Sequence, residues 1–190
     1  VVSVRRENKL FETATNFLSD RSAELILIDG PLAFGNWWAM KGEEKDRESL
    51  VRSVNRLLKL CEEEGIAIAG IVKRATARYL VNDLGIGRET SLSDAFILLQ
   101  MMGFGERTSV FSPSEALKRI FHKAPFMDKI LYQIYSFYIR LSSNPLTSPI
   151  RVDIPEFMLD RVDEIASYCL HSAVREGIPL PIVKADEEVR

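Results

Sequence analysis

The segment Leu25-Ile26-Leu27-Ile28-Asp29-Gly30-Pro31-Leu32 constrains this chain more than any other stretch. Four consecutive apolar residues, two of them β-branched, have the pattern of a strand covered on both faces, as at the centre of a sheet. The run ends on a carboxylate, and Gly30-Pro31 then turns the chain away. A charge at the end of a buried strand needs a neutralising partner, and a metal ion or a ring of hydrogen bonds are the usual solutions. An Asp-Gly pair is also a common turn, in which Asp29 would bond only local backbone.

The flanking sequence builds an α/β unit around that strand. Leu10, Phe11, Ala14, Phe17 and Leu18 recur at helical spacing and predict an amphipathic helix over 7–19, ahead of a strand at 24–29. The aromatic stretch Ala33-Phe34-Gly35-Asn36-Trp37-Trp38 follows. Adjacent tryptophans on a strand point to opposite sides, which leaves one for solvent, a ligand or a partner. A longer helix from about Lys45 to Glu63 turns Leu50, Val51, Val54, Leu57, Leu58 and Cys61 inward. Arg47, Arg52, Arg56 and Lys59 fall on its other faces, as a solvated helix surface would have them. Gly65 closes this helix, and Ile66–Val72 reads as a second buried strand ending in Lys73-Arg74, with Arg78 close behind. Strand, helix, strand in that order predicts a crossover and a parallel pairing.

Further along, Ser91-Leu92-Ser93-Asp94 fits a capping box for a helix that buries Phe96, Leu98, Leu99 and Met102, and Ser112-Pro113-Ser114-Glu115 fits a second. A β-rich run from Lys129 to Leu141 is broken at Asn144-Pro145, and Ile150–Ile154 is its returning partner. Pro155 then opens a helix over roughly 156–175 with Met158, Val162, Ile165, Ala166, Cys169 and Ala173 on one stripe, stopped by Gly177. A proline-punctuated tail, Ile178–Val183, delivers Lys184-Ala185-Asp186-Glu187. No repeat, low-complexity segment or linker interrupts residues 1–190, so one domain is expected.

Composition narrows the chemistry. The 190 residues carry 25 basic and 27 acidic side chains, a net charge of −2, so nucleic-acid binding would have to come from a local patch. No apolar run approaches a membrane span, and no stretch reads as a signal peptide, although a chain that starts at Val1 leaves room for residues before it. Cys61 and Cys169 lie on apolar helix faces, as reduced core residues of a cytoplasmic protein do. Glycine-rich phosphate loops, CxxC and HExxH motifs are absent, and His122 and His171 are too few for a multi-histidine zinc site. His122 in a last helical turn suits the helix dipole. What remains is a set of carboxylates at element ends: Asp29, Asp94, Asp153 and Asp186. Hard divalent cations are held by a few such oxygens together with substrate phosphates. Asp94 would equally serve its capping box, and Asp153 would serve as an N-cap for the helix that follows.

Taken in order, several short motifs resemble those of the NurA nuclease family: Ile28-Asp29-Gly30, Ala69-Gly70-Ile71-Val72-Lys73-Arg74, Leu92-Ser93-Asp94-Ala95 and Gly105-Glu106-Arg107. Phe137–Leu141 and Pro149–Pro155 resemble the family's paired strands, and Gly177–Asp186 its terminal Gly-Tyr-Pro…Ala-His motif. The resemblance runs from Leu25 onward over nearly the whole chain.

It implies an RNase H-like fold, a mixed sheet flanked by helices, in an enzyme that cleaves DNA with Mn²⁺ or Mg²⁺. It also implies a homodimer that works in DNA-end resection with the ring-shaped, HerA-like hexameric ATPase. Carried over by position, Asp29 and Asp94 match the metal-binding aspartates, and Asp186 falls at the active-site histidine as a third catalytic and metal ligand. Lys73, Arg74, Arg78 and Arg151 are the residues expected to meet DNA. Three positions depart from the family pattern: Asp186 itself, Ile178 in place of a tyrosine, and Lys73 near where a further acid belongs. Those departures frame a rival reading, a catalytically weakened NurA-like module kept for dimerisation or for docking to the translocase.

Overall fold

The computed structural model describes residues 4–32, 42–86, 90–121 and 127–188. Helix α1 (Val4–Asp20) leads into strand β1 (Leu25–Asp29), and helix α2 (Glu44–Glu63) connects it to strand β2 (Ala67–Val72). Short helices α3 (Tyr79–Asp83), α4 (Asp94–Met101) and α5 (Pro113–Phe121) precede strands β3 (Ile134–Ile139) and β4 (Ile150–Pro155). A 3-10 segment, Glu156–Arg161, then runs into α6 (Val162–His171), and α7 (Leu180–Glu188) ends the described chain.

The four strands form one mixed sheet in the order β1-β2-β4-β3. β1 and β2 are parallel, with Asp29 opposite Ile71, as the strand–helix–strand pattern predicts. β4 runs antiparallel to β2, placing Val72 opposite Arg151, and β3 runs antiparallel to β4. The carboxyl ends of β1 and β2 therefore share one edge of the sheet with the start of β4.

Alternation along β2 sorts the core into two faces. Ile68 packs with Phe11 of α1 and with Leu50, Val54, Leu57 and Leu58 of α2. Ala67, Ala69 and Ile71 point the other way, into a cluster with Val152, Ile154 and α6 residues Ile165 and Cys169. Val72, back on the first face, joins Ala95, Met102 and Tyr138. Gly70 shares that first face, and its lack of a side chain matters. A Cβ there would meet the Gly30 carbonyl oxygen at 2.7 Å and the Leu32 amide nitrogen at 2.9 Å, so the turn after β1 crosses directly over β2.

Several expectations change in the structure. Asp153 is not at a helix start; it lies within β4 and is fully buried. α4 starts two residues later than a box from Ser91 would put it: Ser93 is the N-cap, its hydroxyl accepts from the Phe96 amide, and Phe96 is 48% exposed rather than buried. The helix after Pro155 begins as 3-10 and ends at His171, while its stripe of Met158, Val162, Ile165, Ala166 and Cys169 is buried as expected. The proline-punctuated tail is mostly helical, as α7. Cys61 and Cys169 are free and buried in separate clusters, and burial pushes each thiol up to about 12. Trp37, Trp38 and His122 lie outside the described residues. Among the described residues, no helix is long and apolar enough to cross a membrane.

Candidate functional site

Charged groups collect at the carboxyl ends of the two parallel strands, the edge at which open α/β sheets present their ligand sites. Asp29 closes β1, and Lys73 immediately follows β2. Lys73 Nζ lies 3.0 Å from Asp29 Oδ1 and 3.1 Å from Oδ2, with both side chains 23% exposed. Register explains the meeting: Asp29 stands opposite Ile71, and Lys73, two residues on, returns to the same face. Arg74 is exposed beside it, whereas Arg78 turns back to donate to the Thr90 carbonyl.

Asp94 occupies a different environment. It is 1% exposed and accepts from the Val81 amide at 2.9 Å, the Leu80 amide at 3.1 Å and the Tyr138 hydroxyl at 3.1 Å. Burial raises its carboxyl above the ordinary range even though those three donors pull the other way. The same burial, with the Asp94 charge beside it, pushes the Tyr138 phenol upward. Tyr138 packs with Val72, on the first face of the sheet, while Asp29 continues the alternation of Leu25 and Leu27, which pack on the second. Strand parity thus places Asp29 and Asp94 on opposite faces.

Arg151, expected to meet DNA, is interior. It is 4% exposed, its Nε lies 2.8 Å from Asp153 Oδ1, and its guanidinium stands 5.4 Å from the centre of the Tyr79 ring. Asp153 also accepts from the Ser136 hydroxyl at 2.7 Å and the Leu32 amide at 3.1 Å. This pair organises the interior of the sheet and presents no cationic surface. Asp186 lies in α7, which packs against β1, and its side chain is outside the described residues. Ile178 packs into the second-face core, an apolar role its side chain suits.

One acid escaped the sequence reading. Glu7 is 6% exposed on the buried stripe of α1, between Val4 and Phe11. A carboxylate on the apolar stripe of an amphipathic helix was the available signal. Its Oε2 lies 3.6 Å from where a Cβ on Gly30 would stand, so the carboxylate reaches the residue next to Asp29. Burial raises the Glu7 carboxyl, Arg6 opposes the rise, and the charge of Asp29 adds to it.

A divalent metal shared by Asp29 and Asp94 does not fit these residues. Asp94 already accepts from three donors on the far face, Asp29 faces an ammonium, and among the described residues no three His, Cys, Asp or Glu side chains gather as a metal cage.

The sheet order, the crossover helix and the acid at the end of β1 define an α/β protein with its polar groups at the strand ends. The chain belongs to the NurA domain family, whose family model matches residues 3–190. It is also similar to the crystal structure of the NurA nuclease from Sulfolobus solfataricus, with a TM-score of 0.63 and 21% identity. That match covers 98% of this chain and 60% of the Sulfolobus chain, so the present chain spans little more than half the length of that relative.

Proposed function

We propose that this NurA-family chain, on an RNase H-like core, is a cytoplasmic docking module for a HerA-like hexameric ATPase in DNA-end processing, working as a homodimer with weakened phosphodiester chemistry. The observation that carries this reading is the separation of the two expected acids: Asp29 is paired with Lys73 on one face, and Asp94 is buried under three donors on the other. Ligands of one Mn²⁺ or Mg²⁺ must converge on a point, which opposite faces of a sheet prevent. Arg74, with Lys73 and Arg78 around it, is the surface offered to DNA phosphates.

The test is duplex DNA with free ends, incubated with the protein and Mn²⁺ or Mg²⁺, alongside sedimentation of the protein with a HerA-like hexamer. Co-sedimentation with little metal-dependent cleavage is expected. Efficient cleavage lost in both Asp29→Asn and Asp94→Asn would overturn the reading.

A second reading keeps an active, metal-dependent DNA nuclease. One observation favours it: α7, which carries Asp186, packs on β1, which carries Asp29. In that reading Asp29 and Asp186 are the principal acids, and Asp94 serves them from a distance as a positioning residue.

A further inference from the structure

We propose that the cleft between the β3–β4 connection and the loop after α6 binds one nucleotide, with its base stacked on Phe104 and its phosphate held by Arg175. Neither functional reading places a base, and this binding is measurable without metal, cleavage or an ATPase.

Position is the first argument. β3 and β2 both run antiparallel to β4, so the carboxyl end of β3 lies on the same edge of the sheet as those of β1 and β2. An open cleft of about 360 Å³ sits there, lined by Leu141 and Ala173. Both pack on the second-face core, the face that strand parity gives to Asp29. About 14 Å, three strand spacings, separates the ends of β1 and β3. The cleft is therefore distinct from the Asp29–Lys73 pair, yet open to a strand lying along the same edge.

Rigidity is the second. Phe104 stands in a turn where the Gly103 amide donates to the Glu106 carboxylate at 2.6 Å and the Glu106 amide to the Gly103 carbonyl at 3.2 Å. The Gly105 amide donates to the Arg140 carbonyl at 2.9 Å, and the Arg140 amide to the Glu106 carbonyl at 3.0 Å. Four hydrogen bonds thus fix a turn whose aromatic side chain is 60% exposed at the cleft. The other wall is also tied: the Ser142 hydroxyl donates to the Arg175 carbonyl at 3.1 Å and accepts from the Asn144 amide at 3.2 Å. Walls held in place before a ligand arrives lower the cost of binding it.

Chemistry selects the ligand. Arg175 is exposed, and among the described residues no carboxylate pairs with its guanidinium. Asn144 Oδ1 accepts from the Leu146 amide at 2.9 Å, which leaves its Nδ2 donor to a ligand. A flat aromatic face, a cation and an amide donor in one cleft match a ligand with a π face, a negative charge and an acceptor edge. A purely apolar partner would desolvate Arg175 and Asn144 without return, and an inorganic phosphate would leave Phe104 unused. A nucleotide uses all three groups. It is either free or part of a single strand, because a base inside a duplex has both faces stacked already.

The test follows the anisotropy of a short labelled oligothymidylate in EDTA, with dTMP and a blunt duplex as the other probes. Phe104→Ala should weaken binding by about five- to hundredfold, the span of base–aromatic stacking, with the salt dependence unchanged. Phe104→Trp should retain binding. Arg175→Gln should weaken it and flatten the dependence of log K on log salt by about 0.7, one single-strand phosphate contact. Leu131→Ala, which removes a 74% exposed side chain ahead of β3, should bind as the parent does. Melting curves verify that each variant is folded. Competition by dTMP at concentrations like the oligonucleotide's assigns the cleft to a free nucleotide, competition only in large excess assigns it to a strand, and both uphold the site. Equal affinity of the parent and Phe104→Ala overturns the proposal, as does no binding of either probe by the parent. An equal loss of duplex binding in Phe104→Ala also overturns it, since no base would then be entering the cleft.

Discussion

The backbone amide of Leu32 donates to Asp153 Oδ2 at 3.1 Å, joining the turn after β1 to the middle of β4 across 121 positions of sequence. The same carboxylate accepts from Ser136 and Arg151, so one buried acid holds the first strand's exit, β3 and β4 together. The Gly30-Pro31-Leu32 turn can reach it only because it passes over Gly70.

Gly70→Ala should therefore be among the most damaging single-methyl changes in the chain. Its Cβ would press on the Gly30 carbonyl and the Leu32 amide, which are backbone and cannot swing aside. A loss of about 1–3 kcal/mol, typical of overpacking, is expected in urea unfolding. An unchanged midpoint would mean the turn lies farther from β2.

Arg151 and Asp153 form a buried pair, and removing one partner strands the other's charge. Arg151→Met should cost about 3–5 kcal/mol, while replacing both residues with apolar ones should recover much of that. Comparison of the three melting curves tests it. A single variant as mild as a surface substitution would place Arg151 in solvent and restore it as a DNA contact.

Tyr138→Phe removes one donor from Asp94 and leaves two amides. A loss of about 1.5–3 kcal/mol is expected, the range for a hydrogen bond to a charged group. Asp94→Ala, which also strands the Leu80 and Val81 amides, should cost more. Both follow from thermal or urea denaturation, and the opposite ranking would contradict the buried network.

Burial holds the Glu7 carboxyl above its ordinary value. A group whose folded pKa exceeds its unfolded one binds more protons when folded, so its contribution to stability is largest in acid and is lost as pH rises through the raised value. Glu7→Gln removes that loss. Its stability relative to the parent should improve between about pH 4 and pH 7, starting near the ordinary carboxyl range. A constant difference across those pH values would show that Glu7 is as solvated as a surface acid.

Arg74 is the exposed cation at the end of β2, whereas Lys73 is paired with Asp29. If this edge meets DNA, Arg74→Ala should flatten the dependence of log K on log salt by about one unit, and Lys73→Ala by less. Equal, negligible changes would remove this edge from the DNA interface.

Local pattern was enough for the elements. The helical stripe from Leu50 to Cys61 and the strand ending at Val72 lie where their periodicity puts them, and the parallel pairing of β1 and β2 follows from their order; the four apolar residues before Asp29 do form a strand, but among the described residues it is a half-buried edge strand rather than the central, doubly covered one their pattern predicts. These depend on neighbours a few residues apart, which a linear chain displays. The state of each acid does not. Asp29, Asp94 and Asp153 all read as carboxylates at element ends, yet one faces an ammonium, one is enclosed by two amides and a phenol, and one lies inside a strand against a guanidinium. Glu7 read as an ordinary helix residue and stands instead beside the end of β1. Which charge neutralises which depends on sheet parity and on how α1 packs against the sheet, distances set by contacts far apart in sequence. Only the tertiary structure contains them.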